Sequence, residues 1–96
     1  MLHIINRSPF ISMNFNRCLQ VLSEGDCLIL IEDGVFAIKG KFRRKLRKLV
    51  DIITIGILQD DLLTRGLKNQ MTDLPVINYT QFVELTEKFY PSLTWN

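Results

Sequence analysis

Two cysteines, one histidine and one alanine are all that 96 residues contain of these types. Cys18 and Cys27 make neither a metal spacing nor a disulfide framework. With His3 as the sole histidine there is no ligand set for zinc, and no metal is expected. The glycines include no phosphate-cradling loop, because Gly34 and Gly40 lack both the dinucleotide and the Walker spacing, so no cofactor is expected either. No stretch of about 18 uncharged apolar residues exists, which speaks against a helical membrane span. The longest apolar runs, Cys27–Ile31 and Ile52–Leu58, are strand-length. Arg7 and Pro9 interrupt the apolar opening before a signal-peptide core could form. A cytoplasmic chain with reduced thiols is therefore expected.

Hydrophobic residues make up 47% of the chain and the mean hydropathy is +0.12, too apolar for disorder. A mass of 11.2 kDa implies one domain over residues 1–96. A domain of this size buries only roughly 60–70% of the surface its unfolded chain exposes. Its apolar residues are bulky, with 14 Leu and 11 Ile against the single Ala37. That is more apolar surface than a small core hides, and burial against a partner subunit would use the surplus. Charge is unevenly spread. Seven of the 12 bases fall in Lys39–Lys48, and the remainder of the chain holds five bases against ten acids. The pI of 8.7 thus describes one basic patch on a mildly acidic domain.

Hydrophobic patterning predicts short strands alternating with short helices. Leu2–Ile5 and Cys27–Ile31 are continuous apolar runs, the pattern of strands covered on both faces. Between them Phe15, Cys18, Leu19 and Leu22 recur at helical spacing, with Ser12 as a candidate cap and Gly25 beyond the end. Val35–Gly40 fits a strand or a helical turn, and the alternation of elements favours a short helix. Phe42, Leu46, Leu49 and Val50 form one apolar stripe through the basic segment. Asp51–Leu58 reads as a third strand and Leu74–Ile77 as a fourth, entered through Pro75. Asp60 is a candidate cap for a helix over Asp61–Arg65 that Gly66 closes. Asn78 and Gln81 have the spacing of a capping box for a helix over Tyr79–Phe89, stopped by Pro91. The expected fold is α/β: a small, mostly parallel sheet of about four strands with helices on both faces.

Candidate chemical residues are few. Cys18 is the first candidate nucleophile, but it sits in the second turn of its helix on the apolar stripe, the place of a buried thiol. Cys27 opens a buried strand and reads as core. His3 has no carboxylate or thiol near it in sequence, which favours a packed, hydrogen-bonded ring. Asp60 and Asp61 are adjacent and would not face each other on a helix, so they make no acid/base dyad. Lys39–Lys48 could meet phosphates, docking tRNA directly, or could meet an acidic partner, but a solvated helix face is the plainer reading, and Phe42 alone interleaves it. Trp95 either packs on the last helix or is offered to a partner. No complete active site emerges.

Several ordered segments resemble the TusB/DsrH family. They are Met1-Leu2-His3, Asn6-Arg7-Ser8-Pro9-Phe10, Leu22-Ser23-Glu24-Gly25-Asp26 and Glu32-Asp33-Gly34-Val35. Further on come Asp60-Asp61-Leu62-Leu63-Thr64-Arg65-Gly66-Leu67, the Asn78-Tyr79-Thr80 segment with Phe82, Val83, Leu85 and Thr86, and Trp95. Together they span almost the whole chain. The resemblance implies a DsrE/F/H-like fold and a non-catalytic subunit of a TusBCD-type sulfurtransferase. In that complex TusC-like and TusD-like subunits join it as a dimer of heterotrimers. The complex takes persulfide sulfur from a TusA-like carrier and passes it to a TusE-like one, for 2-thiolation of tRNA wobble uridine. The reactive cysteine belongs to the TusD-type subunit. The resemblance also implies an alternative, a DsrH-like relay subunit of dissimilatory sulfur metabolism with Cys18 as persulfide carrier. Asn78 stands where the family often has Asp, and the basic run is richer than the family leads one to expect.

Overall fold

A computed structural model describes residues 1–67 and 73–96. Five strands form one sheet: β1 (Leu2–Ile5), β2 (Cys27–Leu30), β3 (Thr54–Leu58), β4 (Val76–Ile77) and β5 (Ser92–Trp95). Helix α1 (Asn14–Val21) joins β1 to β2. A 3-10 helix (Glu32–Ile38) and α2 (Gly40–Leu49) join β2 to β3, α3 (Gln59–Thr64) follows β3, and α4 (Tyr79–Lys88) joins β4 to β5. The order is β4-β3-β2-β1-β5, and every pairing is parallel.

Handedness explains the layering. Parallel crossovers are almost always right-handed. The connections from β1 to β4 all step the same way across the sheet, so their helices fall on one face. There Phe15 and Cys18 of α1, Phe42 and Leu46 of α2, and Leu62 of α3 pack on Ile5, Leu28, Leu30, Ile55 and Ile57. The last connection steps back past the whole sheet, so α4 falls on the other face. Its Phe82, Leu85 and Phe89 cover Leu2, Ile4, Cys27 and Ile29. Among the described residues most of the helical mass therefore lies on one face, and one helix, α4, with no fully buried residue covers the other.

The α/β class, the parallel sheet and the helices on both faces agree with the sequence. The strand count does not, because Ser92–Trp95 adds a fifth strand beside β1. Trp95 consequently packs with the α1 and α2 face rather than on α4. The third strand is shorter than expected: Ile52 and Ile53 donate their N–H groups to the Leu49 carbonyl, so a turn occupies the residues before Thr54. β4 shrinks to two residues, and the Pro75 carbonyl accepts from Ile57 N–H ahead of it. α1 starts at Asn14, whose N–H donates to Ser12 Oγ at 3.1 Å. α3 leaves β3 without a gap, which puts Leu58 at the cap position and Asp60 in the first turn, where its charge suits the helix dipole. Gly66, at φ +69°, ends that region in the left-handed conformation that suits glycine.

The ambiguous segment after β2 is the 3-10 helix. Gly34 lies so close to the end of β1 that a Cβ there would sit 2.1 Å from the Ile5 carbonyl oxygen. The capping box of α4 is complete. Asn78 Oδ1 accepts from Gln81 N–H and Gln81 Oε1 accepts from Asn78 N–H, both at 2.8 Å. No helix among the described residues is long and apolar enough to cross a membrane.

Candidate functional site

Both thiols are in the core. Cys18 on α1 and Cys27 at the start of β2 are each 0% exposed. Burial, reinforced by the nearby Asp26 carboxylate, pushes the Cys18 thiol up to about 12. Burial pushes Cys27 up to about 11, against the opposing pull of the N-terminal ammonium. Such thiols are protonated at neutral pH, whereas sulfur transfer needs the thiolate.

The parallel register builds a polar cluster that sequence distance hides. Leu2 pairs with Cys27, so Asp26, one residue before β2, comes beside the opening of β1. Its carboxylate lies 3.2 Å from the Met1 ammonium and 3.2 Å from His3 Nε2. On the other side of the ring, Trp95 Nε1 donates to His3 Nδ1 at 3.2 Å. An indole can only donate. Nδ1 is therefore the acceptor and Nε2 carries the proton toward Asp26. His3, 3% exposed, is thus a satisfied core histidine that ties β5 to β1 and β1 to β2. The sequence offers the histidine but not its carboxylate, which is 23 residues away. The signal that could have found it is the pair of adjacent apolar runs, since two parallel neighbours bring their leading residues together.

Asp26 makes a pH prediction. Burial alone would raise its carboxyl, but the Ser23 N–H, the Met1 ammonium and His3 outweigh burial and hold it below the ordinary value of 3.8. A carboxyl depressed in the folded state stabilises the fold fully above the unfolded value. That contribution disappears as pH falls through the lower folded value. Urea unfolding of the wild type should therefore lose stability below about pH 4, and Asp26→Asn should flatten that acid limb while lowering stability at pH 7. An unchanged acid limb in the variant would show that Asp26 is not the group responsible.

The motif around Asp61 and Arg65 serves structure. Asp61 Oδ2 accepts from Glu32 N–H at 2.7 Å, and Arg65 Nε donates to Asp33 Oδ1 at 2.8 Å. These bonds lash α3 to the 3-10 helix. Asp60 stays exposed and apart from them, so the two adjacent aspartates do different jobs. Among the described residues no group of three or more His, Cys, Asp and Glu could hold a metal ion.

What remains is surface. The segment after β1 exposes Phe10, Ile11 and Met13, with Ile11 at 82%. Phe10 stands edge-on to Phe42, ring centres 4.9 Å apart, and forms one wall of a cleft of about 460 Å³ with Ser8, Phe36, Lys39 and Gly40. On the opposite face α4 exposes Tyr79 and Val83, and Tyr90 follows it. The basic run is helix α2, with Phe42 and Leu46 buried beneath it.

A family profile described as "DsrH like protein" matches residues 7–91. The chain belongs to the DsrH-like family. Protein TusB of Escherichia coli K12 is 41% identical over 98 residues, covering 99% of this chain and all of the relative. Protein TusB of Escherichia fergusonii is 42% identical over the same span, and that of Shigella boydii 41%. The solution NMR structure of protein Tm0979 from Thermotoga maritima superposes with a TM-score of 0.66 at 22% identity. It covers 92% of this chain and 93% of its own, and at that identity it speaks to the fold alone. The DsrH-like match runs from the segment after β1 through α4. It thus takes in the apolar loop, both thiols and the basic helix.

Proposed function

We propose that residues 1–96 form one domain, a non-catalytic subunit of a TusBCD-type sulfurtransferase in the cytoplasm. The assembly would relay persulfide sulfur for 2-thiolation of tRNA wobble uridine. The carrying observation is the 41–42% identity to TusB proteins over their whole length. Its partners are TusC-like and TusD-like subunits in a dimer of heterotrimers, which exchanges sulfur with TusA-like and TusE-like carriers. Two physical features support a structural role. The thiols are buried and held protonated, which disfavours the alternative of a DsrH-like relay with Cys18 as persulfide carrier. The exposed Phe10, Ile11 and Met13 are apolar surface of the kind a partner subunit covers.

The test is native mass of the chain alone and with its TusC-like and TusD-like partners. A complex holding all three chains is expected. It should form equally with the Cys18→Ala/Cys27→Ala variant, and tRNA 2-thiolation should persist. A monomer that ignores both partners overturns the subunit reading. Loss of thiolation from an intact complex overturns the non-catalytic one.

A further inference from the structure

The bases of α2 divide into two sets. Arg43 and Arg47 lie on the flank of the helix and converge on the Asp73 carboxylate. Lys41, Arg44, Lys45 and Lys48 recur at i, i+3, i+4 and i+7, which lines them up along the outer edge of the helix. All four are exposed. No ion pair to any of them exists among the described residues. Lys45 donates to Asn16 Oδ1 at 2.9 Å, but that amide carries no charge. The row is about 10 Å long at the helical rise of 1.5 Å per residue.

Its composition argues against a protein partner. Interface cores are depleted in lysine and anchored by aromatic and aliphatic side chains. The helix turns Phe42 and Leu46 inward and exposes no large apolar side chain along Gly40–Leu49. The buried Phe42 also removes the stacking platform that would read bases. Lys41 and Lys45 lie over the Phe42 ring, 5.3 and 5.8 Å from its centre, which holds them in place without neutralising them. A row of cations with no ion pair among the described residues, on a helix that offers no apolar anchor of its own, suits a row of phosphates, contacted without regard to sequence. We propose that the outer edge of α2, through Lys41, Arg44, Lys45 and Lys48, docks the phosphate backbone of RNA. The choice of RNA among polyphosphates rests on the tRNA-thiolation reading above; the charge geometry does not.

The test is fluorescence anisotropy of the full chain with an unmodified tRNA transcript over a range of salt. Four phosphate contacts give a log–log salt slope of about −3, so binding should weaken roughly 50- to 150-fold between about 50 and 200 mM. The variant Lys41→Gln/Arg44→Gln/Lys45→Gln/Lys48→Gln should bind at least tenfold more weakly with a slope near zero. The milder pair Lys41→Gln/Lys48→Gln should halve the slope and guards against a misfolded quadruple variant. Undetectable binding at about 50 mM salt, or equal binding by the variants, overturns the proposal. Displacement of tRNA by polyglutamate at equal charge overturns it in favour of an acidic protein partner. Native mass of the quadruple variant with the TusC-like and TusD-like subunits separates this surface from the subunit reading, because assembly should be untouched.

Discussion

Gly34→Ala is expected to destabilise the protein by about 3 kcal/mol or more. The added methyl would sit 2.1 Å from the Ile5 carbonyl oxygen and 2.8 Å from its carbonyl carbon. Those are backbone atoms at the end of β1, in a strand paired on both sides. A side chain could swing away, but this carbonyl cannot. It accepts from Ile31 N–H at 3.0 Å, and moving it would disturb the exit of β2 as well. Overpacking against so fixed a neighbour falls at the upper end of its usual cost, a large share of the roughly 5–15 kcal/mol by which domains are stable. Gly66→Ala is the control. Among the described residues a methyl added at Gly66 would meet nothing within 4 Å, and the φ of +69° opposes alanine, so about 1–2 kcal/mol is expected there. Urea midpoints of both variants decide the matter. If Gly34→Ala costs no more than Gly66→Ala, the 3-10 helix does not press on β1 as described.

Trp95→Ala should cost about 3 kcal/mol, and Trp95→Phe roughly half of that. The alanine variant loses the ring that packs β5 onto the α1 and α2 face. It also leaves His3 Nδ1, in a side chain 3% exposed, without the only donor that reaches it among the described residues. The phenylalanine variant keeps most of the packing and loses only the indole N–H, so the difference between the two separates apolar burial from hydrogen bonding. The reporter is the folded-state resonance of the His3 ring nitrogens, which in the wild type should show the proton on Nε2. A wild-type ring with its proton on Nδ1 would exclude the Trp95 bond. Equal losses from the two substitutions would mean that the indole N–H accounts for the whole effect.

These two sites show what the sequence can and cannot disclose. β1, β2 and α4 are readable because each rests on local chemistry: unbroken apolar runs for the strands, the Asn78–Gln81 pair for the helix start. β5 escapes such a reading because Ser92-Leu93-Thr94-Trp95 is four residues long, follows Pro91 and is half polar. Its alternation carries the signal of an edge strand, with Leu93 and Trp95 on one face and Ser92 and Thr94 on the other. Asp60 reads as a cap because aspartate often is one, but the helix begins at Gln59, as soon as β3 ends. Burial of both cysteines is legible from the helical stripe and the apolar run. The cluster of His3, Asp26 and Trp95 is not, since parallel pairing alone brings it together. The basic run is visible at once, yet its division into a flank tied to Asp73 and an outer row requires the helix and its neighbours.

The place of β5 beside β1 has a consequence for synthesis. Leu2 pairs with Ser92 and Ile5 with Trp95, partners made about 90 residues apart. At about 5–20 residues per second, β1 waits roughly 5 to 20 seconds on the ribosome for that neighbour. Meanwhile β2 can pair with its other side, and one edge of an apolar strand stands open to any chain that can add a strand to it. The nascent protein thus carries an aggregation hazard in β1 and the remedy in residues 92–95.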